Sequence, residues 1–285
     1  MAVTIYGNYS QKELDLEYDM RQRCPHFTET FAEMEVHNTR TVTNFECRLD
    51  VAFGHKPGEK LDIWPGRGGS PIMLFIHGGY WRAFDKDMFR FVVERFVEAG
   101  AAVVLNNYDL CPDVTMDEIT RQNRAALAWI YHNAASFGGD PGRIHVTGHS
   151  AGGHLTAMLM ATDWAPYGLP SDVVNGAVPV SGLYDLEPLR VSYLNQYLNM
   201  DEAESRRNSP IHHLPKWMPP TVVAVGGGET DEFRRQSRIY TDACRAAGFD
   251  VSYLEVGNFD HVNLAGAYRN RLSPLTAALF SQMGL

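Results

Sequence analysis

Continuous apolar runs of four to six residues alternate, through the middle of the chain, with longer stretches in which apolar residues recur every three or four positions. The first pattern suits a strand covered on both faces, the second an amphipathic helix. Residues 72–76 (Ile-Met-Leu-Phe-Ile), 101–105, 177–180 and 221–225 therefore read as strands, as do the short β-branched run 144–147 and the stretch 251–256. Between them, residues 86–99 place Met88, Val92, Phe96 and Val97 on one stripe and are closed by Gly100. Residues 117–137 predict a long amphipathic helix, and residues 232–247 another, closed by Gly248. A last helix begins at Ser273 as N-cap, with Pro274 in its first turn. Strand, helix, strand units return right-handed to one sheet, so the rhythm predicts an α/β architecture: a mostly parallel twisted sheet with helices on both faces.

Three stretches depart from the rhythm. Residues 43–53 and 60–64 flank a segment rich in turn formers, Gly54 to Glu59, and predict an antiparallel hairpin at a sheet edge. Residues 1–40 form an N-terminal extension, in which 12–23 predict a helix with Leu14, Leu16, Tyr18 and Met20 turned toward a core built later. Residues 186–219 contain Pro188, Pro210, Pro215 and Pro219 around two short helices and read as a cap-like insertion. No internal repeat or domain-sized linker interrupts residues 1–285, so one domain is expected.

Composition narrows the class. With 285 residues, 45% of them apolar and 21% charged, the chain can bury one large core. A net charge of -9 without any Lys/Arg cluster argues against nucleic acid or an anionic membrane surface as partner. No window approaches the ~20 apolar residues of a membrane span and no leader pattern opens the chain, so a cytoplasmic protein is expected. Cys24, Cys47, Cys111 and Cys244 stand far apart, which predicts free thiols and no metal ribbon. A homodimer is compatible with the sequence, which leaves oligomeric state open.

The strand at 144–147 runs into Gly148-His149-Ser150-Ala151-Gly152 and then into a helix. Glycines at such a sharp turn let a serine hold a strained backbone and present its hydroxyl to a cleft. A serine hydroxyl is a weak nucleophile at neutral pH and needs a histidine oriented by a carboxylate. Following chain order, His261 lies in the loop after the last strand, and the acid comes from the loop after residues 221–225, where Glu229, Asp231 and Glu232 compete. Offset favours Glu229; Asp231 has the commoner residue type. Charge on a tetrahedral oxygen calls for backbone N–H donors, expected from Ala151 and from Gly78 and Gly79 within His77-Gly78-Gly79-Tyr80-Trp81. Tyr80, Trp81, Tyr184 and Phe259 are candidate substrate contacts, equally readable as packing. His149 and His154 have no cysteine or carboxylate close by in sequence, so neither a metal nor a cofactor is expected.

These stretches, with Ser181-Gly-Leu-Tyr-Asp-Leu186 and Glu232-Phe-Arg-Arg-Gln-Ser237, resemble the kynurenine formamidase (arylformamidase) group of the α/β-hydrolases. The resemblance spans most of the chain. It implies an α/β-hydrolase fold and a Ser, Asp, His triad, with Glu229 standing where the family has its aspartate. It also implies hydrolysis of a small ester or aryl-formamide through an acyl-enzyme. An arylformamidase, a general carboxylesterase and a non-catalytic ligand-binding protein of the same fold are the three readings the sequence leaves.

Overall fold

The computed structural model describes residues 3–285. Its main sheet has eight strands: β1 (Arg48–Ala52), β2 (Lys60–Trp64), β3 (Ser70–Ile76), β4 (Ala102–Asn106), β5 (Gly139–His149), β6 (Gly176–Val180), β7 (Thr221–Gly226) and β8 (Val251–Val256). They lie in the order β8-β7-β6-β5-β3-β4-β2-β1. From β8 to β4 every pairing is parallel; β2 and β1 complete one edge antiparallel. The predicted edge hairpin and parallel core are both present.

The helices of eight or more residues are α1 (Gln11–Tyr18), α2 (Phe27–Asn44), α3 (Met116–Asn133), α4 (Ala151–Met160), α5 (Asp231–Ala246) and α6 (Pro274–Met283). Side chains of β3 alternate between the two cores. Ile72, Leu74 and Ile76 pack with α1, α3, α4 and α5, whereas Met73 and Phe75 pack with α2, α6 and residues 86–98. Burial on both faces is why β3 shows no polar alternation in sequence.

Several boundaries differ from the sequence reading. The predicted helix over 12–23 is two pieces, α1 and Met20–Arg23, separated by Asp19, whose carboxylate caps the second. Thr43 is expected to begin a strand but lies in the last turn of α2. Its β-branched neighbours Thr41 and Val42 suit a strand, yet Phe27, Phe31 and Met34 recur at helical spacing and decide the local structure. Residues 86–98 are a 3-10 segment, Lys86–Val92, followed by a short α-helix, Glu94–Glu98. The 186–219 insertion contains three short helices, Glu187–Arg190, Asn195–Leu198 and Glu202–Arg207, where two were expected. Its Leu189, Leu194 and Leu198 are buried in the core beside the sheet, while Tyr193 of the same segment faces the cavity beside Ser150.

Four buried histidines tie stability to pH. Burial holds His77, His145 and His154 down to about 4, and burial together with the neighbouring His261 pushes His149 well below its ordinary value. An unfolded histidine titrates near 6.5, so between about pH 6.5 and 4 the unfolded chain binds protons that the folded chain refuses. Stability is therefore complete above this window and lost as pH falls through it. Thermal melts from pH 7.5 to 4.5 should show a steadily decreasing Tm; a flat Tm would contradict the assignment.

Candidate active site

Ser150 sits between β5 and α4 at φ 61° and ψ −119°. That left-handed backbone is costly for a residue with a side chain and persists where surrounding structure enforces it. Here the Ser150 N–H donates to the carbonyl of Val180 at 2.8 Å, and its carbonyl accepts from the His154 N–H at 3.1 Å. A Cβ on Gly152 would lie 1.9 Å from the carbonyl oxygen of Ile76. Only glycine allows β3, the turn and α4 to approach so closely.

The Ser150 hydroxyl lies 2.9 Å from His261 Nε2, and His261 Nδ1 lies 2.7 Å from Glu229 Oε2. All three residues are buried. The other Glu229 oxygen accepts from the Gly226 N–H at 2.8 Å and from the Ser181 hydroxyl. With its carboxylate facing Nδ1, Glu229 favours the tautomer that carries its proton there, which leaves Nε2 free to accept from serine. Loop 257–261 is tied to the turn after β7: Gly227 and Gly228 donate to the carbonyls of Gly257 and Phe259 at 3.1 and 3.0 Å. Phe233 and His149 flank the imidazole, with ring centroids 4.1 and 4.6 Å away.

The competing acids lie elsewhere. Asp231 has a side chain 74% exposed, paired with Arg234 at 2.5 Å. Glu232 is fully buried but engaged by Arg235 at 2.7 Å and by the Tyr18 hydroxyl at 2.8 Å. It thus fastens α1 to α5 and is not the solvated helix-start acid its position suggests.

Gly78 packs against Ser150: a Cβ there would come within 3.1 Å of the serine Cβ. Gly79 has φ 115°, and Tyr80 and Trp81 follow at 49° and 56°. Among the described residues, the N–H groups of Gly78, Gly79 and Ala151 find no acceptor, and Gly78 and Gly79 line the cavity containing Ser150. Trp81 holds this loop from behind. Its indole donates to His154 Nδ1 at 3.2 Å, and His154 Nε2 meets the carbonyl of Asn208 at 2.6 Å.

The cavity measures about 190 Å³. Of the four aromatic residues singled out in sequence, Tyr80 lines it and the other three do not. Trp81 is fully buried; Tyr184 is buried and stacked on Tyr240 with centroids 4.3 Å apart; Phe259 faces a different groove. Trp81 and Tyr184 satisfy packing requirements, the alternative that residue type alone could not exclude, whereas Phe259 is exposed. The walls come largely from residues that sequence reasoning missed: Phe27, Phe31 and Met34 of α2, with Phe84, Phe89 and Tyr193. The i, i+4, i+7 spacing of the first three was a signal available in the extension.

Residues 73–265 match the model of the alpha/beta hydrolase fold. The chain belongs to that family. Over 98% of its length and 98% of the relative's, it is 32% identical to kynurenine formamidase of Danio rerio. It is also 32% identical to the esterase LipQ of Mycobacterium tuberculosis, over 78% of this chain and 59% of that one. A solved esterase from Pyrobaculum calidifontis, 18% identical, superposes with a TM-score of 0.73 over 96% of this chain and 97% of that one, a likeness of fold. The protein is thus a hydrolase of the arylformamidase-like or carboxylesterase kind, close to kynurenine formamidase in sequence. Among the described residues no helix is long and apolar enough to cross a membrane.

Proposed function

We propose that the protein is a serine hydrolase of small aryl-formamides, with Ser150 as nucleophile, His261 as general base and acid, and Glu229 orienting the imidazole. The observation that carries this reading is the unbroken line from Ser150 through His261 to Glu229 at the wall of a small aromatic cavity. As the Ser150 oxygen attacks the formyl carbon, its proton passes to His261 Nε2. The oxygen of the tetrahedral intermediate faces the N–H groups of Gly78, Gly79 and Ala151. The imidazolium then protonates the departing arylamine nitrogen, and a water molecule, deprotonated by the same imidazole, frees formate from the seryl ester.

Cavity size supports a short acyl group. About 190 Å³ is below the range common for drug-sized ligands, which suits one aromatic ring with a formyl or acetyl group. Kinship with a kynurenine formamidase over nearly the whole chain favours the formamide; the likeness to LipQ favours a second reading, small-ester hydrolysis. Rates on N-formyl-L-kynurenine and p-nitrophenyl acetate decide between them. A strong preference for the formamide is expected; turnover of the ester alone would leave the mechanism and discard the substrate.

A further inference from the structure

We propose that Arg82 selects substrates carrying a carboxylate, an inference that rests on the small-molecule hydrolase reading of the same cavity. Arg82 and Arg21 both line the cavity, and among the described residues neither forms an ion pair. The arginine side chains Arg23, Arg40, Arg90, Arg121, Arg190 and Arg235 do meet carboxylates, in a chain of net charge -9. Acidic partners are abundant, yet the cavity arginines are without them. The one carboxylate in the same wall is already occupied: Asp19 accepts from the N–H groups of Arg21 and Gln22 and from the Gln22 side chain at 2.5–3.2 Å.

Arg82 is the better placed of the two. Arg21 is exposed, whereas the Arg82 guanidinium lies 4.0 Å over the ring of Tyr197 and its Nε is buried with no acceptor. A buried donor left unpaired is costly, so a ligand that accepts from it is favoured. Stacking fixes the plane of the fork and leaves its edge donors to bind an anion in two parallel hydrogen bonds. The backbone is committed to the same end. The Arg82 N–H donates to the carbonyl of Gly79 at 3.1 Å, and Tyr80, Trp81 and Phe84 around it all have positive φ. Strain of this kind gathers where a side chain must be aimed. It places Arg82 on the turn that presents Gly78 and Gly79 to Ser150, so one small molecule can reach both. A singly charged carboxylate fits better than a dianionic phosphate, because Asp19 also faces the cavity and most of the remaining wall is apolar.

The test uses esters, so that it survives even if formamides prove not to be substrates. Wild type should hydrolyse 4-acetoxyphenylacetate with a lower KM than its neutral partner 4-acetoxyphenylacetamide, and added NaCl should erode the difference. In Arg82→Gln the ratio of kcat/KM, carboxylate over carboxamide, should fall about tenfold to a hundredfold, chiefly through KM. Arg82→Lys, which keeps the charge and loses the fork, should fall between. An equal loss on both esters would mean that Arg82 only packs on Tyr197, and an unchanged ratio would equally overturn the proposal. Should Arg82→Gln not fold, the wild type suffices: phenylacetate must slow labelling of the protein by a fluorophosphonate at lower concentration than phenylacetamide does, and equal protection defeats the assignment. Failure of the formamide assay with a preserved carboxylate preference would discard the substrate of the previous section and keep this one.

Discussion

Ser150→Ala is expected to lower kcat/KM on any substrate the protein turns over by about 10⁴ to 10⁶-fold, the loss typical when a triad nucleophile is removed. The fold should survive. Among the described residues the Ser150 hydroxyl meets only His261, and the bonds that hold its strained backbone, to Val180 and from His154, use main-chain atoms that alanine retains. A fluorophosphonate should label wild type and leave Ser150→Ala unmodified, with Tm changed by a few degrees at most. Activity within tenfold of wild type in a folded Ser150→Ala protein would refute the nucleophile. Absence of labelling in wild type would instead favour a protein that binds without turnover.

The second large effect concerns the acid. Glu229→Gln should reduce kcat by about 10³ to 10⁴-fold, because an amide that donates to Nδ1 moves the ring proton to Nε2 and leaves nothing there to accept from serine. Asp231→Asn should stay within about threefold, since that side chain lies in solvent against Arg234, where an ion pair contributes little. Steady-state kinetics on the two variants separates the assignments. The reverse order of effects would transfer the role to Asp231 and imply a rearranged loop.

Most of the sheet was legible because its strands are continuous apolar runs bounded by glycine and proline, and the candidate serine and histidine because the elbow and the last-strand loop are local patterns. Chain position favoured Glu229 among three acids within four residues but could not exclude Asp231. What separates them is burial and contact: Glu229 points to His261, Glu232 to Tyr18 and Arg235, Asp231 to water. Tyr184 and Trp81 illustrate the opposite difficulty. An aromatic side chain next to a motif looks the same in sequence whether it faces a ligand or a neighbour, and here Tyr240 and His154 are the neighbours. The extension's part in the cavity wall was missed for a related reason. Its apolar spacing was visible, but that α2 would close the cavity depends on contacts with Phe84 and with residues 86–92, more than forty positions away along the chain.

The clasp between α1 and α5 bears on how the site comes into being. Tyr18 meets Glu232 across 214 positions, and the Thr230 hydroxyl donates to the carbonyl of Glu17 across 213. Contacts so distant must overcome a large loop-closure entropy, and during synthesis the first partner waits for nearly the whole chain to emerge. The serine turn draws its own main-chain bonds from Val180 and His154, whereas His261 and the wall formed by residues 19–34 come from opposite ends of the chain. The chamber around Ser150 is thus assembled only when the two ends of the chain meet, so anything that loosens the α1–α5 clasp is felt at the cavity wall as well as at the surface.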